Sequence, residues 1–153
     1  MQRPVWGVLV IGALIMSASS ASLIGQAMKE KTLYDRLGGK KARAAVVDEF
    51  VSRAAADRRI NTFFAATAAD AARLAAFKGK LVDQICEASG GPCTYQGKDM
   101  KAAHMGLGVR GADFDALVDD LVGALDTFKV GAHEKDQLLG ALAPMKIDIV
   151  EKK

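Results

Sequence analysis

Between Phe114 and Leu125 the apolar residues Phe114, Leu117, Val118, Leu121, Val122 and Leu125 recur at intervals of three and four. That spacing returns every one of them to the same side of a helix with 3.6 residues per turn, and it rules out the strict alternation of a half-buried strand. The same rhythm runs through Val46, Val47, Phe50, Val51 and Ala54, and again through Leu74, Phe77, Leu81 and Ile85. Gly38-Gly39, Gly90-Gly91-Pro92, Gly106, Gly108 and Gly131 separate these stretches. Helices with one apolar face each cannot stand alone in water, so they must bury those faces against one another. Half of the 153 residues are hydrophobic, only 3 are proline, and β-branched runs are scarce. The expected fold class is therefore all-α, with enough chain for one sizeable core.

The expected elements follow from these breaks. Thr32 is placed to cap a short helix from Leu33 to Leu37, closed by the glycine pair. A long helix is expected over 40–56, then a turn over 57–61 and a hydrophobic plug, Phe63-Phe64, in irregular backbone. Thr67 is the expected cap of a helix over 68–88. Gly79, inside that helix, costs about 1 kcal/mol against alanine and predicts that another helix crosses close by, unless it is only a tolerated weak spot. A loop follows to about Gly97, then a short helix ending at His104, with Gly106 or Gly108 as its exit. Asp113 is the expected cap of a helix over 114–128, and the last helix runs over 133–150 with Pro144 as a kink.

The first residues read as a targeting segment. Arg3 precedes the apolar run from Val5 to Met16, and Ser19 and Ala21 are placed for cleavage between small residues. The expected organisation is a signal peptide over 1–21, a linker over 22–31 and one domain over 32–153, exported to the periplasm. The rival is an uncleaved anchor facing the same side, because no charge interrupts the stretch from Pro4 to Met28. A net charge of +3 with both signs interspersed, and no basic stripe with interleaved aromatics, gives no support to nucleic-acid binding.

The chemistry-bearing residues are few. Cys86 and Cys93 are the only cysteines. In an oxidising compartment they could pair if the Gly90-Gly91-Pro92 turn brings their Cα atoms within about 7 Å. Equally, Cys86 reads as a small core residue and Cys93 as a loop thiol. No Cys-x-x-Cys-His is present, which excludes covalent haem of the c type, and two cysteines with two remote histidines do not make a zinc finger. Of the two histidines, His133 lies among Glu134, Lys135 and Asp136 and reads as a surface residue. His104 lies among Met100, Ala102, Ala103 and Met105. A lone histidine on an apolar face is ordinarily a hydrogen-bonded core residue; the sharper alternative is a neutral imidazole holding haem iron from one side.

Taken in order, Tyr34-Asp35-Arg36-Leu37-Gly38-Gly39, Asp57 with Phe63-Phe64, Lys78-Gly79-Lys80, Gly90-Gly91-Pro92 with Tyr95 and Gly97, Met100 with His104, and Leu142-Ala143-Pro144 form a pattern that covers essentially the whole domain. In that pattern the chain resembles the group I truncated haemoglobins. The resemblance implies a two-over-two helical sandwich around one non-covalent haem b. By position it makes His104 the proximal iron ligand and Phe64 the aromatic that wedges against the porphyrin. Met100, Val109, Phe114 and Val118 become proximal wall, and Lys80 becomes a cation within reach of a propionate. Phe77, Leu81 and Tyr95 complete the expected cofactor contacts. The expected distal set is Phe50, Val51, Phe77, Leu81 and Ile85.

Val51 is a departure from the family, which usually has a tyrosine there to donate a hydrogen bond to bound O2. Gln84 neighbours Ile85, but a rotation of about 100° per residue is expected to turn it aside from the iron. Tyr34 and Tyr95 fall off the distal face. The resulting expectation is a five-coordinate haem protein that binds O2, NO or CO reversibly in an apolar pocket, with an electron-donating reductase as a conceivable partner. An NO dioxygenase or weak peroxidase on the same scaffold is one alternative, disfavoured because both chemistries want a polar distal group. A haem-free helical interaction module is the other.

Overall fold

The computed structural model describes residues 30–152, so the expected leader over 1–21 and most of the linker lie outside the described residues. Eight α-helices follow in order: α1 (Leu33–Arg36), α2 (Gly39–Ala56), α3 (Ala65–Ala68), α4 (Ala71–Ala88), α5 (Met100–His104), α6 (Gly111–Thr127), α7 (Ala132–Leu142) and α8 (Lys146–Ile149). Short 3-10 turns over Asn61–Phe63 and Ala143–Met145 join α2 to α3 and α7 to α8. There is no strand among the described residues; one isolated bridge pairs Arg110 with Lys152. None of the helices described is long and apolar enough to cross a membrane.

The long helices form two crossed pairs, α2 with α4 and α6 with α7, in the two-over-two arrangement. The inward face of α2 carries Val46, Val47, Phe50 and Val51, which meet Ile85 of α4, Leu121, Ala124 and Leu125 of α6, and Leu138 of α7. Val47 and Ala124 are wholly buried, and Leu125 and Leu138 retain 1% exposure. A smaller core of Ala54, Ile60 and Ala116 sits under Phe63 and Phe64 at the far end of α2. Leu117 packs against both cores and joins them.

Several boundaries differ from the sequence reading, each for a local reason. Thr32 does cap α1, and its reciprocal bonds with Asp35 complete a capping box. Thr67 is not the cap of α4; it lies inside α3. The cap is Asp70, which has extended backbone and whose carboxylate accepts the Arg73 N–H at 2.9 Å. Asp113 is not the cap of α6 either. It stands three residues inside, where its carboxylate reaches back to the Arg110 N–H at 2.9 Å and the Arg110 side chain. Gly79 is exposed, and a Cβ there would meet nothing within 4 Å, so the predicted close crossing does not exist. Pro144 breaks the last helix into α7 and α8 through the 3-10 turn instead of kinking one continuous rod.

One buried polar residue had no signal in the pattern. Arg43 is 2% exposed, with its guanidinium 3.9 Å from the centre of the Tyr34 ring and its three nitrogens without a hydrogen-bond partner among the described residues. Stacking on an aromatic face is a geometry that suits a guanidinium, whose charge is weakly hydrated. Of the two readings left open for the cysteines, the bridge is the one observed: at the end of α4, Cys86 and Cys93 are joined with their Cα atoms 5.7 Å apart. Gly91 sits over this bridge, where a Cβ would come 2.6 Å from the Cys86 sulfur and 2.1 Å from the Tyr34 ring, so only glycine fits. The turn is bolted to α1 as well, by the Tyr34 N–H donating to Ser89 O at 2.9 Å.

Two stability predictions follow from these contacts. The bridge closes a loop of sequence separation 7. Loop closure of that size should stabilise the fold by about 2–3 kcal/mol. Cys93→Ser, or reductant with the wild type, should lower the urea midpoint accordingly; an unmoved midpoint would mean that the bridge constrains nothing. Separately, the Arg110 side chain and backbone N–H hold the Asp113 carboxyl below the usual aspartate value. A carboxyl depressed in the folded state contributes stability above its unfolded pKa and loses it as pH falls through the folded one. Asp113→Asn should therefore be less stable than wild type near pH 6, and the gap should close as pH falls below the usual aspartate value. Parallel acid-unfolding curves with a constant gap would contradict this.

Candidate functional site

His104 ends α5, a helix of only five residues capped by Asp99, whose carboxylate accepts the Ala102 N–H at 2.8 Å. The half-buried imidazole places Nδ1 2.7 Å from the backbone carbonyl of Met100, one turn back. A carbonyl can only accept, so Nδ1 must carry the ring proton. Nε2 then holds the lone pair, and it makes no hydrogen bond among the described residues. A neutral imidazole with its tautomer locked by a backbone carbonyl is what axial ligation of a metal requires of the protein.

The loop leaving α5 is tied down from the C-terminus. Glu151 accepts the N–H groups of Gly106, at 2.6 Å, and Gly108. Those two bonds, with smaller help from the Lys152 ammonium, hold its carboxyl below the usual glutamate range.

Across from α5, two cavities flank α4. One, of about 220 Å³, lies between α2 and the start of α4; Val51, Ala55, Phe64, Leu74 and Phe77 line it, with Ser52 and Thr67 beside them. Phe64 and Phe77 meet there with ring centres 5.9 Å apart. Asp48 and Lys78, paired at 2.9 Å, lie at the same cavity and bind α2 to α4. The other, of about 260 Å³, lies between the end of α4 and α5, lined by Gln84, Ala88, Tyr95, Met100 and Met145 among others. Tyr95 folds over Gly97 and donates its hydroxyl to Lys98 O at 3.0 Å.

The residues singled out in the sequence are thus only partly gathered. Val51, Phe64 and Phe77 share the first cavity, and Tyr95 and Met100 share the second. Phe50 and Ile85 are packed in the core formed by α2, α4, α6 and α7, with Leu81 against it. Val109 is buried, while Phe114 and Val118 are half-buried, the Phe114 ring lying 5.1 Å from the Lys146 ammonium. Lys80 is exposed and His133 lies on the surface as expected.

Gln84, expected to turn aside from the iron, lines the cavity between α4 and α5 on the Met100 side. Its side-chain nitrogen lies 3.2 Å from the Met100 sulfur and 3.4 Å from that of Met145. Seven residues at about 100° each bring Gln84 within about 20° of the direction of Phe77, nearer than Ile85. The Asp48–Lys78 pair and the Glu151 contacts carried no comparable signal, since they join residues remote in sequence.

The site is suited to a flat apolar cofactor held at one axial position. It offers one imidazole nitrogen free of hydrogen bonds among the described residues on a short separate helix, and aromatic and aliphatic side chains of the neighbouring helices, with Asp48, Lys78, Ser52, Thr67, Gln84 and Glu87 among the polar groups at the two cavities. Comparison with known proteins points the same way. A family described as bacterial-like globin matches residues 32–151. A group 1 truncated haemoglobin from Mycolicibacterium paratuberculosis is 35% identical over 118 residues, spanning 77% of this chain and 83% of that protein. Among solved structures, the Fe(III) truncated haemoglobin of Tetrahymena pyriformis is similar with a TM-score of 0.71 and 27% identity, covering 78% of this chain and 98% of the other. A two-over-two haemoglobin from Synechococcus, solved with covalently attached haem, matches at a TM-score of 0.71 and 29% identity, again over 78% and 98%. By its helical fold and by its match to this family and these relatives, this chain belongs to the bacterial-like globins, within the group I truncated haemoglobins.

Proposed function

We propose that this globin binds one haem b non-covalently through His104 Nε2 and takes up diatomic gases reversibly at the opposite face. Family membership supports the haem and the gaseous ligand. The observation that carries the finer reading is the 2.7 Å contact of His104 Nδ1 with Met100 O, which leaves Nε2 as the ligating atom. When bound, haem supplies an iron with one position open to a small ligand. His104 would hold that iron, Phe64 and Phe77 would pack against the ring, and Met100 would line the side of His104. No histidine other than exposed His133 exists to fill the opposite position, which favours a five-coordinate ferrous state.

His104→Ala should abolish stoichiometric haem uptake, or replace the five-coordinate ferrous spectrum and its sharp CO-bound Soret band by a grossly altered one. Unchanged spectra in this variant would remove His104 from the ligand role.

Ligand preference rests on Val51. It is 7% exposed and presents only methyl groups to the distal cavity. A hydrogen bond to a charge-bearing ligand is worth roughly 1.5–3 kcal/mol, or about one to two decades in affinity. Release of O2 should therefore be fast, with CO and NO, which depend less on such a bond, little affected. Val51→Tyr should slow O2 dissociation by about one to two decades, while Gln84→Leu should leave it unchanged. Slow release in the wild type that Gln84→Leu accelerates would instead assign the stabilising donor to Gln84.

A further inference from the structure

The short helix that ends at His104 cannot fix its own orientation. Five residues form barely more than one helical turn, and an isolated turn is unstable in water. Its exit is looser still by sequence, because Gly106 and Gly108 both adopt left-handed backbone, with φ of +81° and +69°. In the fold this exit is held at two levels. Leu107 N–H donates to the carbonyl of His104 itself at 3.1 Å, so the turn starts from the backbone of the imidazole-bearing residue. The flanking N–H groups of Gly106 and Gly108 both point at one carboxylate, that of Glu151.

Glu151 is placed from outside the turn. The Glu151 and Lys152 N–H groups donate to Val109 O at 2.9 and 3.1 Å, and α8, which precedes them, packs on α5. Lys152 covers Gly108, where a Cβ would lie 3.1 Å from its Nζ. The C-terminal segment therefore grips the backbone on both sides of Leu107, two and four residues beyond His104.

We propose that Glu151 is a positioning residue for His104: its carboxylate clamps the Gly106–Gly108 turn and thereby sets the orientation in which the imidazole is presented. The inference rests on the reading of His104 as the haem ligand. Without the carboxylate, two N–H groups lose their acceptor and the turn keeps only its bond to His104 O. The end of α5 is then free to tilt, while the Met100 bond still fixes the tautomer.

The test uses the full chain, haem-free and haem-loaded, with Glu151→Ala and Glu151→Gln compared with wild type. Circular dichroism first establishes that the variants fold, and the glutamine form, which keeps one strong acceptor, serves if the alanine form does not. In the haem-free protein, Glu151→Ala should speed amide exchange at Gly106 and Gly108 by about tenfold or more. In the loaded ferrous protein it should shift and broaden the iron–histidine stretching band and hasten haem loss to a competing apoglobin. Glu151→Gln should fall between. Faster amide exchange with an unmoved stretching band would reduce Glu151 to a structural cap and overturn the proposal, as would unchanged exchange. His104→Ala separates the two readings. If it keeps the wild-type loaded spectrum, the ligand assignment fails; if it loses that spectrum while Glu151→Ala leaves the band in place, only the positioning role fails.

Discussion

The burial of one face of α2 is the contact on which the rest of this molecule depends. Val46, Val47, Phe50 and Val51 share one core with Ile85 of α4, Leu121, Ala124 and Leu125 of α6 and Leu138 of α7. Each such side chain, fully removed from water, is worth roughly 1.5–3 kcal/mol, more than an ordinary neutral hydrogen bond at about 0.5–1.5 kcal/mol. Ala124 matters here for what it lacks: with only a methyl group and no exposure, it lets α6 approach α2 closely. The surface ion pairs, such as Arg59 with Asp57 and Asp119, are exposed and add little by comparison.

Because that core holds the four long helices, the elements that carry the site need not be regular. α5 has five residues, α8 has four, and the turn between α5 and α6 contains two left-handed glycines. They are held by specific polar contacts in place of a shared apolar face. The Cys86–Cys93 bridge fixes the end of α4 to the loop that leads toward α5, and Glu151 fixes the turn that leaves it. A short helix between two such anchors gives the imidazole of His104 a defined orientation.

The opposite wall is less uniformly apolar than a list of its residues suggests. Val51, Phe64 and Phe77 are oily, yet Ser52, Thr67 and the Asp48–Lys78 pair stand at the same cavity. Gln84 spends its amide on two thioether sulfurs, which are weak acceptors. An amide so weakly engaged is the polar group best able to respond when the cleft is filled.

What the sequence by itself determined is the helical class, the number of long helices and the one candidate ligand. Periodicity of three and four marks each buried face because the α-helix has 3.6 residues per turn, and glycine pairs mark breaks because other residues resist left-handed backbone. With two histidines, one among charges, His104 was the only candidate. The tertiary structure alone decided the caps of α4 and α6, the stacking of Arg43 on Tyr34, which of the two readings of Cys86 and Cys93 holds, and the two sulfurs that Gln84 meets. It also decided that Glu151, 45 residues from Gly106, lies behind the loop of His104. Local propensity is written in neighbours along the chain, whereas a hydrogen bond between remote residues depends on where the packed helices leave their ends.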